Sequence, residues 1–131
     1  MIPKFRVWLP DTTQMLRVKA LVFEKDRTRC VCGYSFDFSL EDENATIMQS
    51  TGISDKNDRE IFEGDILKIE NEEDSEALYV NVYWDKEHAL FMVETKKYND
   101  KGALAELLED NSYPCEVVGN IYQDKEFLER V

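Results

Sequence analysis

His88 is the only histidine in the chain, and it closes the stretch Asp85-Lys86-Glu87-His88. A carboxylate beside an imidazole can raise its pKa and set up general acid–base chemistry. The reaction class would be hydrolysis, with His88 and its neighbouring carboxylates as the working groups. The same four residues also suit a hairpin turn, and an exposed turn histidine is the reading the sequence favours. No Ser or Cys stands in a local nucleophile signature.

Three cysteines are present: Cys30, Cys32 and Cys115. An odd count argues against a disulfide framework. The spacing Cys30-Val31-Cys32 falls one residue short of the usual metal knuckle or redox motif. On a strand both thiols share a face, so they are expected in the core. Glu70-Asn71-Glu72-Glu73-Asp74-Ser75-Glu76 offers oxygen ligands for Ca²⁺ or Mg²⁺ but lacks the glycine of a Ca²⁺ loop. It is read as a solvated hairpin tip. Asp55, Asn57 and Asp58 are similarly read as capped turns. No metal site and no cofactor are expected.

The elements that must position these residues are short. The chain has 131 residues, 43% hydrophobic and 34% charged. That suits one globular domain with a proper core. Lys4 to Leu9 alternates polar and apolar, with Phe5, Val7 and Leu9 on one face and Trp8 on the other. Gln14 to Glu24 reads as one or two strands. Thr28 to Leu40 reads as a strand alternating through Phe36, Phe38 and Leu40. Ala45 to Ser50, Ile61-Phe62, Ile66 to Glu70, Ala89 to Thr95 and Glu116 to Tyr122 read as further strands. Leu78 to Trp84 puts Leu78, Val80, Val82 and Trp84 on one face and Tyr79, Asn81 and Tyr83 on the other. Asn99 or Asp100 can cap a helix over Gly102 to Glu109, where Leu104, Leu107 and Leu108 recur at helical spacing. A short helix fits Gln123 to Arg130.

The expected fold is mainly β (α+β): antiparallel sheets and one or two short helices. From Ile61 on, five short strands with one helical insertion match an SH3-like small barrel. The single domain 1–131 is thus read as an N-terminal β subregion, 1–60, and a barrel subregion, 61–131.

Net charge is −12, from 28 acidic and 16 basic side chains. Such a surface repels nucleic acid on average, and no basic stripe stands out. No run of about 18 apolar residues is present, so no membrane helix is expected. The N-terminus lacks an apolar signal core, which predicts a cytoplasmic protein. Trp8, Tyr79 and Tyr83 lie on faces opposite the expected core and are the interface candidates, since interfaces favour Tyr and Trp.

Three segments carry a resemblance. Lys4-Phe5-Arg6-Val7-Trp8, with Met15 after the turn, is the first. Met48-Gln49-Ser50-Thr51-Gly52-Ile53-Ser54-Asp55-Lys56-Asn57, followed by Glu60-Ile61-Phe62-Glu63-Gly64-Asp65-Ile66-Leu67, is the second. Glu116-Val117-Val118-Gly119-Asn120-Ile121-Tyr122 is the third. Together they span nearly the whole chain, and it resembles the YopX family of phage and prophage proteins. The position after Asn57 is often glycine in that family. Here it is Asp58, which tolerates a left-handed turn nearly as well.

The resemblance implies a phage, prophage or related origin, a β-rich fold and a tendency to self-associate. It carries no catalytic residues. The function expected from all this is a non-enzymatic accessory protein in a bacterial host cell, self-associating and contacting host or phage proteins. The alternatives are a nucleic-acid-binding small barrel and an acidic DNA mimic acting on a host protein.

Overall fold

Strand outweighs helix in the computed structural model, 55% to 8%, as the alternating sequence requires. Residues 2–33, 36–71, 74–109 and 113–131 are described. Every pairing among them is antiparallel. The chain divides into two compact units, 1–50 and 51–131. The sequence had suggested subregions of 1–60 and 61–131.

In the first unit β1 (Phe5–Leu9) lies between β2 (Gln14–Arg17) and the start of β6 (Thr46–Ser54), with Val7 opposite both Leu16 and Ile47. A second sheet has the order β3 (Ala20–Phe23), β4 (Thr28–Cys32), β5 (Phe36–Ser39). The stretch expected as one strand over Thr28 to Leu40 is therefore a hairpin. Gly33, at φ +75°, lies where the chain reverses, a conformation that costs glycine nothing. Val7, Cys30 and Cys32 form the core, with Leu16, Leu21 and Phe38 packed around them.

The second unit contains β7 (Glu60–Phe62), β8 (Asp65–Asn71), β9 (Asp74–Asp85), β10 (Leu90–Thr95), β11 (Asp100–Ala103) and β12 (Cys115–Asn120). One helix, α1 (Leu104–Glu109), is inserted before β12. The sheet runs β11-β10-β9-β8-β12 and curls into a half-barrel, the form taken here by the expected small barrel. Cross-strand partners share a face. The concave face therefore gathers Leu67, Ile69, Leu78, Val80, Val82, Val93 and Val117, all within one hydrophobic cluster. The convex face carries Lys68, Tyr79, Asn81, Tyr83, Met92 and Glu94.

The helix expected over Gly102 to Glu109 begins at Leu104 instead. Asp100–Ala103 pairs with Met92–Thr95, so sheet hydrogen bonds replace the first helical turn. The terminal helix expected over Gln123 to Arg130 shortens to a 3-10 turn at Lys125–Phe127. Trp84, expected with the core face, is 43% exposed and meets Phe91 edge-on at 5.0 Å. The alternation places it correctly, but β9 outruns the core at that end.

The residues that carry the family resemblance in the second unit are turn clips. The Asp55 carboxylate accepts backbone N–H groups from Asn57 and Arg59, both at 2.9 Å, and from Val117 at 2.8 Å. This joins the central segment to the closing one. Asp58 sits at φ +63°, the left-handed turn that glycine would otherwise take. Gly64, at φ +83°, donates to the Val82 carbonyl and accepts from Ile121, while Asp65 accepts the Phe62 N–H at 2.8 Å. The Asn120 amide oxygen accepts from Tyr122 and Gln123, and Asp124 accepts the Asn120 N–H at 2.9 Å.

Gly119 is fixed by that last clip. A Cβ there would lie 2.6 Å from Asp124 Cγ. Gly119→Ala is expected to destabilise the protein by about 1–3 kcal/mol, read as a shifted urea midpoint. Adding Asp124→Ala to that variant should recover part of the loss, because the two effects are coupled.

Candidate functional site

The concave face of the second unit is not filled to its end. Where β8, β9, β10 and β11 approach α1, an open cleft remains in two lobes of about 330 and 380 Å³. The lobes share Ile69, Leu78, Thr95, Asp100, Leu107 and Tyr113. Val80 and Val93 extend the apolar floor of the first lobe. Tyr98 and Tyr113 flank the cleft and are 56% and 40% exposed.

Two features of the cleft follow from strand register. Thr95 continues the inward positions of β10 after Val93, so a hydroxyl stands where the alternation asks for an aliphatic group. Thr95 is 3% exposed, and its Oγ1 has no hydrogen-bond partner among the described residues. Asp100 is the cross-strand partner of Thr95 and faces the cleft with it. Lys101 pairs with Glu94, and both also border the first lobe. With Glu76 and Glu106 also lining the lobes, carboxylates outnumber the one lysine there and the charge around the cleft is negative. The Lys97 ammonium already lies 5.5 Å from the centre of the Tyr98 ring.

The interface candidates are distributed differently. Trp8 is half-buried on β1 of the first unit. Tyr79 is half-buried on the convex face of the second, stacked on Phe127 at 5.5 Å with the Arg130 guanidinium 5.4 Å from its ring centre. Tyr83 is half-buried four residues along the same strand. Burial, reinforced by Glu94 and Asp85, pushes its phenol pKa up. None of the three lines the cleft.

His88 is an exposed turn residue between β9 and β10. Its Nδ1 lies 2.8 Å from Asp85 Oδ2, and its side chain is 69% exposed. The His88 hydrogen bond is the main cause of a lowered Asp85 pKa, helped by the Glu87 and His88 N–H groups. Ligand atoms of Asp85, Glu87 and His88 lie within 4.8 Å of one another, in a solvated turn.

Cys30 and Cys32 are buried on one face, with Sγ atoms 3.8 Å apart. Burial, with Cys32 adding to it, pushes the Cys30 thiol up to about 12. Burial also raises Cys32, and pushes Cys115 up to about 11. Such thiols are poor nucleophiles. A thiol reagent at about pH 8 should label none of the three within minutes in the folded protein, and all of them in denaturant.

The acidic stretch 70–76 falls partly on residues 72 and 73, outside the described ones. At its start, Glu70 lies 3.7 Å from Lys56 Nζ and 3.8 Å from Lys68 Nζ. Sequence reasoning gives Asp100 a helix-capping role and Leu107 a helical packing role, and it assigns no site role to either of them or to Thr95. A polar residue at an inward position after Val93 was the available signal.

The family model described as YopX protein matches residues 4–129. The chain belongs to the YopX family. Among solved structures it is similar to protein yopX from Bacillus subtilis, at 20% identity and a TM-score of 0.67, covering 94% of this chain and 95% of that one. It is also similar to protein EF1440 from Enterococcus faecalis, at 24% identity and a TM-score of 0.64, covering 98% and 99%. Both likenesses are of fold. A search of curated proteins gives no match. Among the described residues of this YopX-family chain, no helix is long and apolar enough to cross a membrane.

Proposed function

We propose that this YopX-family chain is a non-enzymatic phage or prophage accessory protein that acts in the bacterial cytoplasm through protein contacts, including contacts with its own copies. The observation that carries the reading is the open apolar cleft of the second unit, flanked by the exposed rings of Tyr98 and Tyr113. Apolar walls with tyrosine at the margin are the composition of a protein-binding surface.

Self-association draws support from the first unit. Its sheet β3-β4-β5 ends in β3 and β5, and an uncovered edge can pair with another chain. Phe23 on β3 is 81% exposed and Phe36 on β5 is 46% exposed. Trp8 and Tyr83 add half-buried aromatic surface, while Tyr79 already has one ring face against Phe127. Size-exclusion chromatography with light scattering is expected to give a mass that is a multiple of the protomer's. A monomer at every concentration would remove the self-association part. Affinity capture with the Leu107→Asp variant as control tests the contact with other proteins, and equal capture by both forms would count against the cleft.

A further inference from the structure

We propose that the cleft binds a cationic peptide segment, with an aliphatic side chain seated against Leu78 and Leu107 and a flanking arginine or lysine held by Tyr98, Tyr113 and the carboxylates of Asp100 and Glu106. This rests on the protein-interaction reading above and names the partner's chemistry.

The strongest sign is the Thr95 hydroxyl. A buried hydroxyl without a partner is destabilising, and native structures keep few of them. Thr95 lines both lobes with its hydroxyl covered, so a small shift of the lining side chains is what brings its one donor and two acceptor positions to a bound segment. A peptide N–H or carbonyl lying along the cleft can use them. The lobes are open and contiguous, which suits an extended segment of chain.

The aliphatic anchor follows from the lining. Ile69, Leu78, Val80, Val93 and Leu107 supply an apolar seat. The cationic flank follows from charge and from the rings. Glu76, Glu94, Asp100 and Glu106 border the lobes against the single ammonium of Lys101, so the lining is acidic on balance. An arginine or lysine placed over a tyrosine ring gains a cation–π contact, as Lys97 already does on Tyr98. The net charge of −12 steers a basic segment toward the protein and an acidic one away.

The test is fluorescence anisotropy of three labelled peptides with the full chain. The first has a central leucine between two arginines on each side. The second replaces leucine with serine, and the third replaces the arginines with glutamates. Saturable binding of the first is expected, with the serine peptide about tenfold weaker and the glutamate peptide not bound. The double variant Asp100→Asn, Glu106→Gln should weaken binding about fivefold, since both carboxylates are exposed.

Thr95→Val is the sharpest arm. It removes the orphan hydroxyl at nearly constant shape, so the free protein should be as stable as before or more so. Peptide binding should nevertheless fall about fivefold. A purely structural threonine would not separate the two readouts. Equal binding by wild type and Thr95→Val, or by the serine peptide, overturns the proposal. Preference for the glutamate peptide also overturns it, yet leaves the protein-interaction reading standing. If no peptide binds while the protein self-associates, only the peptide proposal falls. If no peptide binds and the protein is a monomer that captures nothing, both fall.

Discussion

Replacing Asp55 with alanine is expected to destabilise the protein by about 2–4 kcal/mol and lower its melting temperature by about 10 °C. The carboxylate holds three backbone N–H groups, those of Asn57, Arg59 and Val117. Val117 is 7% exposed, so its N–H would be left without water when the acceptor is gone. Asn57 and Arg59 are exposed, and water replaces part of what they lose. The variant also frees a turn that begins in the central family segment and is tied to the closing one.

The effect depends on pH. Burial of Asp55 opposes ionisation, but the N–H groups of Val117, Arg59 and Asn57 outweigh it, and the pKa ends lowered. A carboxylate whose folded pKa lies below its unfolded value, about 3.9, stabilises the fold above that value. The contribution is lost as pH falls through the folded pKa. Urea midpoints of wild type and Asp55→Ala should therefore differ most near neutral pH and converge below about pH 4. A gap that stays constant down to low pH would contradict the assignment.

Leu104→Ala is expected to destabilise by about 2–5 kcal/mol. Leu104 is fully buried and begins α1, a helix of six residues. So short a helix has little stability of its own and depends on the face it buries. Leu107 and Leu108 join Leu104 on the half-barrel's core cluster. Loosening α1 also moves a wall of the cleft, because Leu107 lines both lobes. Urea unfolding should show the lost stability, and the leucine–arginine peptide should bind more weakly under conditions where the variant is folded. Unchanged stability would mean that α1 is not held by this contact.

Much of the fold was legible because alternation is a strong signal. Leu78, Val80 and Val82 against Tyr79, Asn81 and Tyr83 gave the two faces of β9 as they stand. The cysteines of β4 share a buried face, as their spacing required. The turn chemistry of Asp55, Asn57 and Asp58 was legible as well, since Asx turns are local.

What was not legible depends on pairing across distance. The hairpin at Gly33 was missed because the residues on either side continue one alternating pattern. The strand Asp100–Ala103 was missed because its own sequence suggests a helix cap, and only its pairing with β10 makes it extended. The cleft was invisible for the same reason. Thr95, Asp100, Leu107 and Tyr113 come from two strands, a helix and a loop, and they meet only after the half-barrel curls. Tyr98 and Tyr113 were two aromatics among many, with nothing local to mark them as neighbours.

The claim on which the account turns is that the concave cleft of the second unit is a recognition surface. Titrating isotope-labelled full chain with the leucine–arginine peptide, and following amide shifts by two-dimensional NMR, tests it directly. The expected result is a saturating set of shifts centred on Thr95, Tyr98, Asp100, Leu107 and Tyr113. Shifts confined to the three-stranded sheet of the first unit, or to the Asp85–His88 turn, would contradict it, as would an unchanged spectrum.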